Sequence, residues 1–229
     1  MDQMQHSLDN LPDGGGPEWS LIYELNTALI SQPLCTARQV ALVNALHTTD
    51  VRFTAIVEHS SGEIGATYAA GYLSAKNAVR IAYYRGFHSH LAQGSGGKRG
   101  KMIAVGMSLY QALRFRSEFG TSLRVAASNS QKSCTLAGDA EAECTFVRVL
   151  EVVTAYHSHH MLPCAEPCLE SMRKCGITVE KNPRHCAWYL SVWGPNGRSR
   201  SFDDADDLLL LKGQYWVNSL SKQRFFLRQ

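Results

Sequence analysis

The chain has 229 residues, of which 45% are hydrophobic and 19% charged, and its net charge is +3. These values are typical of a globular protein with one sizeable core. The basic residues are scattered, which argues against nucleic acid or a membrane surface as a partner. The polar N-terminus does not match a secretory signal, and the longest aliphatic run, Leu208 to Leu211, is too short to span a bilayer. Seven cysteines without regular spacing predict reduced thiols and a cytoplasmic location.

Changes in composition and in the spacing of apolar residues divide the chain into three parts. Residues 1–17 end in Asp-Gly-Gly-Gly-Pro, which predicts a flexible lead-in. Residues 18–100 and 153–229 have mostly helical periodicity, and we expect them to form one core. Residues 101–152 combine short apolar runs with one helix, which predicts a small α+β subdomain.

Apolar spacing and turn residues give the predicted elements. The predicted helices are Glu18–Leu29, Leu34–Leu46 after a restart at Pro33, Ser74–Arg85 capped by Ser74, Leu109–Phe119, and helical texture from Tyr156 to Cys175. The predicted strands are Met102–Val105, Leu123–Ala127, Cys134–Ala137, Phe146–Val152 and Trp188–Trp193. The glycine-rich loop 94–100 has no preceding strand and no Lys-Ser/Thr ending, so we interpret it as a linker rather than a phosphate-binding loop.

Residues 53–71 predict a buried strand, a sharp turn and a helix of small residues. Ser60 lies in the turn, as the nucleophile of an elbow motif does, where helix N–H groups stabilise an oxyanion. The elbow motif has glycine two residues before and two residues after the serine, and here these positions are Glu58 and Gly62. Ser60 and Glu63 also match a helix-capping box. The spacing therefore leaves a nucleophile and a helix cap as alternatives.

Three histidines and one arginine are the other candidates for chemistry. His157, His159 and His160 lie close together, and one of them could act as the base for Ser60. A second interpretation is a zinc site formed with the cysteines that follow nearby, but their spacing fits no standard zinc site. A third interpretation is surface histidines at the start of a helix. Arg85 is either a salt-bridge residue or a bidentate ligand for a substrate carboxylate.

Taken together, these segments resemble the acyltransferase domain of polyketide synthases, most of all the highly reducing type of filamentous fungi. The likeness runs from Leu8 to Trp216 and includes HSSGEIGATYAAGYLS, AYYRG, GKMIAVGMS, AASNSQKSCTLAGD, TAYHSHHM and KGQYWV in family order. The resemblance implies an α/β-hydrolase-like core, incomplete at both ends, with an inserted, shortened ferredoxin-like subdomain. It also implies malonyl transfer from malonyl-CoA through a serine ester to the phosphopantetheine thiol of an acyl carrier protein, without a bound cofactor or metal.

The resemblance also assigns roles residue by residue. Ser60 matches the acylated nucleophile and His157 matches its base, a dyad without the carboxylate of a triad. Arg85 falls where the family binds the malonyl carboxylate, and residues 154–157 fall where extender choice is tuned, here in favour of malonyl. Other matches fall where the family lines the substrate pocket or contacts acyl oxygens: Gln32, Asn129 and His59.

The sequence departs from the family pattern at four places. Glu58 replaces an elbow glycine, where we expect little room for a side chain and where a carboxylate opposes an oxyanion. The opening strand with its G-Q-G-x-Q motif, which supplies an oxyanion donor, has no match. Residues 138–145 are too few for the helix that the family places there. The closing elements after Trp216 have no match either. We therefore expect a truncated domain.

Three hypotheses remain open from the sequence. The first is a malonyl acyltransferase of secondary metabolism, based on Ser60, Arg85 and His157. The second is a catalytically impaired or inactive remnant that at most binds carrier protein or synthase subunits, based on Glu58 and the missing strand. The third is a thioesterase-like hydrolase, and Arg85 argues against it because a general hydrolase needs no malonate ligand.

Overall fold

The computed structural model describes residues 2–12, 14, 16–17, 27–140, 148–150, 152, 154–181, 186–191 and 205–225. The helices are α1 (Asp2–Asp9), α2 (Ala28–Thr48), α3 (Gly62–Ala69), α4 (Ala75–His88), α5 (Leu109–Ser117), α6 (Leu162–Cys175), α7 (Ala205–Leu210) and α8 (Gln214–Ser221). The strands are β1 (Ala55–Val57), β2 (Gly100–Val105), β3 (Leu123–Ser130), β4 (Ser133–Asp139), β5 (Arg148–Val149), β6 (Ala187–Tyr189) and β7 (Arg224–Phe225). The expected α/β class is confirmed.

The chain forms two compact units. The first comprises Met1–His88, Glu166–Leu190 and Arg198–Val217, and the second comprises Ser89–Ala165, Ser191–Gly197 and Asn218–Gln229. The expected division into a core of residues 18–100 and 153–229 with an insert of residues 101–152 stays a prediction.

In the first unit, helices α2, α3 and α4 pack on one another. Small residues allow this, because Ala37, Ala78 and Ala82 are fully buried. Strand β1 pairs in parallel with β6. The strand before Ser60 was expected to be buried, but Val57 is 51% exposed. The reason is that, within the described residues, β1 has a neighbouring strand on one edge only.

Helix α1 corrects the expectation of a flexible lead-in over residues 1–17. Met4 and Leu8 are buried, and their spacing of four residues puts them on one helix face. The Arg80 guanidinium of α4 donates hydrogen bonds to the carbonyls of Ser7 at 3.2 Å and Asn10 at 2.9 Å. These contacts hold residues 2–10 against α4.

Helix α2 also differs from the sequence expectation. It runs from Ala28 to Thr48 with Pro33 inside it, rather than restarting at Pro33. A proline removes one backbone hydrogen bond, but Ile30, Leu34 and Ala37 are buried on this helix, and their burial offsets that loss. The predicted helix over residues 18–29 lies mostly outside the described residues.

The second unit contains a sheet with the strand order β5-β2-β4-β3-β7. The strands predicted at 102–105, 123–127 and 134–137 are confirmed, and β5 covers part of the one predicted at 146–152. Successive side chains of a strand alternate between faces. One face packs against Ala112 and Phe115 of α5, and the other packs against Ala155.

Most of the described cysteines are buried. Among the described residues, cysteines 35, 134, 164, 168, 175 and 186 are free, and all except Cys35 are buried. Burial raises the pKa of Cys164 to about 11, so this thiol stays protonated and unreactive at neutral pH. None of the described helices has the length and apolar character needed to cross a membrane.

Gly86 lies where α4 comes close to the start of α2. A Cβ at this position would overlap the backbone of Ala28 and lie 3.0 Å from the Cα of Leu29. We expect Gly86→Ala to lower the free energy of unfolding by about 1–3 kcal/mol, because overpacking outweighs the gain in helix propensity. Urea denaturation measures this change. Gly106→Ala is the control, since nothing lies within 4 Å of its added Cβ, and equal stability of the two variants would contradict the prediction.

Candidate active site

Ser60 lies in the turn between β1 and α3 with a left-handed backbone, at a φ of +57°. The turn is closed by hydrogen bonds from the Gly62 N–H to the His59 carbonyl at 3.1 Å and from the Glu63 N–H to the Ser60 carbonyl at 3.3 Å. The predicted strand, turn and helix are confirmed here. A left-handed backbone costs a non-glycine residue about 1–2 kcal/mol, and such strain concentrates at functional sites.

The helix-cap interpretation of Ser60 is wrong. The residue at the N-cap of α3 is Ser61, and it makes no side-chain capping hydrogen bond. A capping residue has an extended backbone, whereas Ser60 is left-handed. The backbone therefore favours the elbow interpretation of this turn.

Glu58 fits into the turn, so the expectation of a steric conflict there is wrong. Its side chain is exposed and its backbone is not left-handed. The absence of a Cβ at Gly62 makes room for it, because a Cβ there would lie 2.6 Å from Glu58 Oε2. The carboxylate consequently lies beside Gly62, the first residue of α3.

Arg85 and Gln32 come together in the first unit. Arg85 is 1% exposed; its Nε donates to Gln32 Oε1 at 3.4 Å and its Nη1 donates to the Trp216 carbonyl at 3.2 Å. Helix α2 positions Gln32 and helix α4 positions Arg85. A guanidinium has five N–H donors, so it can bind a carboxylate while it keeps contacts of this kind.

His157 lies in the second unit, in a turn that precedes α6. It is buried, its φ is +59°, and its backbone N–H donates to the Leu220 carbonyl at 2.9 Å. The adjacent Ser158 fixes the turn: its hydroxyl donates to the Ala155 carbonyl at 2.6 Å and accepts from the His160 N–H at 3.2 Å. Hydrogen bonds thus hold the backbone at His157 and at the next residue, Ser158.

A cluster around Asp139 lies beside this turn, and sequence reasoning missed it. Asp139 Oδ1 is 2.8 Å from His160 Nε2 and 3.4 Å from His159 Nε2, and Asp139 Oδ2 is 3.3 Å from Lys98 Nζ. Burial opposes the charged carboxylate, but hydrogen bonds from His160 and Lys98 outweigh it and hold the pKa of Asp139 below its usual range. Burial, with the nearby His160 ring, also lowers the pKa of His159.

Among the described residues, the group whose ligand atoms could surround a metal ion is Asp139, His159 and His160, with those atoms within 4.8 Å of one another. The cysteines considered in the zinc interpretation are not part of it. Lys98 already provides a positive charge to the carboxylate. We interpret the cluster as an anchor for the turn that carries His157.

Asn129 is in β3, half-buried, and its Nδ2 donates to Thr135 Oγ1 on the neighbouring strand at 3.1 Å. The predicted site residues divide between the two units. Ser60, His59, Arg85 and Gln32 belong to the first unit, and His157 and Asn129 belong to the second. The pairing of Ser60 with His157 stays a prediction, as do the roles of the other four.

A family model for the acyl transferase domain matches residues 22–225. The chain belongs to this acyl transferase family. The reducing polyketide synthase grgA of Penicillium sp is 60% identical over 245 aligned positions, gaps included, which cover 99% of this chain. They cover 10% of that synthase, so the chain spans about a tenth of the relative's length. The polyketide synthase 19 of Gibberella fujikuroi is 57% identical with the same coverage.

Solved acyltransferase structures share the fold. The acyltransferase domain from module 8 of the salinomycin polyketide synthase superposes with a TM-score of 0.77 at 21% identity, over 97% of this chain and 52% of that one. The structure of FabD from Acinetobacter baumannii gives a TM-score of 0.74 at 20% identity, over 100% of this chain and 74% of that one. At these identities the likeness concerns the fold, and it agrees with the family assignment.

The left-handed backbone of Ser60 predicts an unusual order of stability. Ser60→Gly should be more stable than Ser60→Ala by about 1 kcal/mol, because glycine adopts this backbone without steric cost. Thermal and urea unfolding of the two variants measures the difference. At Ser117, in the last turn of α5, the order should reverse, with Ser117→Ala the more stable variant, because alanine has the higher helix propensity. The same order at both positions would contradict the backbone assigned to Ser60.

Proposed function

We propose that this chain transfers a malonyl group from malonyl-CoA, through an ester on Ser60, to the phosphopantetheine thiol of an acyl carrier protein. The observation that supports this most is the left-handed backbone of Ser60 on a strand–turn–helix, in a chain of the acyl transferase family. The relatives include fungal reducing polyketide synthases, so the proposed setting is polyketide biosynthesis in the cytoplasm.

The proposed reaction has two half-reactions. In the first, Ser60 Oγ attacks the thioester carbonyl of malonyl-CoA while His157 accepts the hydroxyl proton, and the C–S bond breaks. The CoA sulfur leaves with that proton. In the second, the carrier thiol attacks the Ser60 ester, His157 accepts the thiol proton and returns it to Ser60 Oγ. The backbone N–H groups at the start of α3 are the proposed donors to the oxyanion.

Arg85 is the proposed ligand of the malonyl carboxylate. Its charge is buried, which strengthens its attraction to an anion, and Gln32 orients the guanidinium through its Nε. Because this charge selects an acyl group with a free carboxylate, it favours malonyl transfer over general thioester hydrolysis. The proposed pocket residues His59 and Asn129 complete the substrate contacts.

The acyl-enzyme ester is the direct test of this proposal. The purified chain is incubated with malonyl-CoA, and its intact mass is recorded beside Ser60→Ala. We expect a malonyl adduct on the unmodified chain and none on Ser60→Ala. A matched pair tests Arg85: Arg85→Gln should lose at least tenfold in the rate of malonyl adduct formation, whereas Arg38→Gln, an exposed change on α2, should lose none.

Three outcomes separate the hypotheses. An adduct that passes to added carrier protein supports acyl transfer. Absence of any adduct contradicts the proposal and leaves the non-catalytic remnant. Rapid release of CoA without carrier protein, with no adduct remaining, indicates a thioesterase-like hydrolase instead.

Glu58 should slow acylation through its charge rather than its size. Because the carboxylate lies beside Gly62, the first residue of α3, it repels the oxyanion that forms next to Ser60. We expect Glu58→Gln and Glu58→Gly to raise the rate of adduct formation by similar factors of about ten, which corresponds to about 1.4 kcal/mol. Burst kinetics with malonyl-CoA measure this rate. An effect of Glu58→Gly alone would instead indicate a steric cause.

A further inference from the structure

The acyl-transfer roles proposed above do not include the glycine-rich loop 94–100. The sequence predicts a linker here, and in the structure this linker is folded and attached to a neighbouring segment. The Gly94 N–H donates to the Lys98 carbonyl at 2.9 Å, which closes the loop on itself. Just before the loop, the Gln93 N–H donates to the His160 carbonyl at 3.1 Å. The loop therefore lies against the segment that precedes α6.

Glycine is required at both ends of this loop by a close approach to Asp139 and His160. A Cβ on Gly94 would lie 2.7 Å from Asp139 Oδ1 and 2.8 Å from His160 Nε2. A Cβ on Gly100 would lie 2.9 Å from His160 Nδ1 and 2.6 Å from the Cβ of Ala155. Separations this short are essentially never seen for a Cβ, so a larger residue at either end would displace the pair.

Asp139 connects this loop to the sheet and to the histidine segment. Its Oδ1 accepts from His160 Nε2 at 2.8 Å, and its Oδ2 lies 3.3 Å from Lys98 Nζ of the loop. Its own N–H donates to the Ser122 carbonyl at 2.9 Å, which fixes its place at the end of β4. Asp139 and His160 are both buried, so water offers neither side chain a replacement partner. Removing either one would leave a buried polar group unpaired.

The surroundings of His160 determine which of its nitrogens carries the proton. Within the described part of the chain, its Nδ1 is buried without a hydrogen-bond partner. A buried N–H without an acceptor is unfavourable, so the proton belongs on Nε2, where Asp139 accepts it. With this nitrogen committed to Asp139, the His160 side chain supplies a fixed position and not a second base.

The backbone around His157 transmits this fixed position. The His160 N–H donates to Ser158 Oγ at 3.2 Å, and Ser158 Oγ donates to the Ala155 carbonyl at 2.6 Å. Between Ala155 and Ser158 lies His157, and its left-handed backbone costs a non-glycine residue about 1–2 kcal/mol. A strained backbone persists only where its surroundings hold it. The hydrogen bond between Asp139 and His160 supplies part of this support.

We propose that Asp139 is a positioning residue for His157, and that loop 94–100 holds Asp139 in place for this role. Asp139 acts through the His160 side chain and the turn described above, and it takes no part in proton transfer. This inference rests on the proposed function, in which His157 is the base for Ser60. It adds that the rate of acylation depends on a carboxylate and a loop outside the reacting groups.

Acylation kinetics of three variants test the role of Asp139. Asp139→Ala removes the acceptor for His160, Asp139→Asn keeps an oxygen acceptor there, and Glu118→Ala removes the same charge from an exposed residue of the same unit. Adduct formation is measured over a range of malonyl-CoA concentrations. Asp139→Ala should lower the saturating rate by about tenfold, because a displaced base is misaligned, and should change the half-saturating concentration by less than about twofold. Asp139→Asn should recover most of the rate, and Glu118→Ala should lose none.

Gly94→Ala tests the loop without removing any polar group. The φ of Gly94 is −77°, which suits alanine, so the added Cβ acts by displacing Asp139 and His160. We expect the saturating rate to fall by about tenfold. Gly106→Ala is the control and should lose none, because its added Cβ meets nothing within 4 Å. All rates are measured at a temperature at which circular dichroism shows every variant to be folded.

A spectroscopic measurement separates this inference from the proposed function. The histidine Cε1–H resonances are recorded by NMR without substrate, and His157→Gln assigns the signal of His157. Asp139→Ala should shift that signal, and Glu118→Ala should leave it in place. The shift does not require an acyl-enzyme, so it supports the positioning of His157 even where the unmodified chain gives no adduct on Ser60.

Three results would overturn the inference while leaving acyl transfer intact. One is an unchanged saturating rate in Asp139→Ala. Another is an equal loss of rate in Asp139→Ala and Glu118→Ala, since that pattern indicates only a general effect of charge. The third is an unmoved His157 signal in Asp139→Ala, because the loss of a positioning residue must displace the base.

Discussion

A buried guanidinium organises the first unit. Arg85 is 1% exposed and donates hydrogen bonds to Gln32 on α2 and to the carbonyl of Trp216. A charge removed from water is costly unless polar groups solvate it, so these contacts fix the position of α4 relative to α2. Helix α3, which follows Ser60, packs on both of these helices. The same charge that holds the helices together is therefore also the natural ligand for an anionic acyl group.

Much of the fold could be predicted because local patterns and tertiary packing agree. The strands at 102–105, 123–127 and 134–137 alternate between two apolar faces, and both faces are covered. Where packing overrides the local signal, the prediction was wrong. Pro33 does not interrupt α2, because buried neighbours stabilise the helix on both sides of it. The lead-in forms α1 because Met4 and Leu8 find a surface on α4 that the local sequence does not reveal.

The candidate site, like the fold, could be predicted from the sequence only in part. Ser60, Arg85 and His157 were predicted as site residues from motif register, yet the backbone of Ser60 depends on a dihedral angle that no spacing specifies. Glu58 was expected to be crowded, whereas the missing Cβ of Gly62 makes room for it. The cluster of Asp139 with His160 joins residues 21 positions apart. Asp139 ends β4, and the antiparallel pairing of β4 with β2 that places it beside Gly100 is a tertiary property.

The parallel pairing of β1 with β6 has a consequence for folding. Ala55 pairs with Ala187, so the two partners are separated by 132 residues (187 − 55) of chain. Closing so long a loop carries an entropic cost before any contact compensates for it, and contacts of this kind form late. During synthesis, β6 leaves the ribosome long after β1. The strand that ends just before Ser60 therefore acquires its hydrogen-bonded partner only after residues 187–189 have been translated, and the turn that carries Ser60 stays without this support until then.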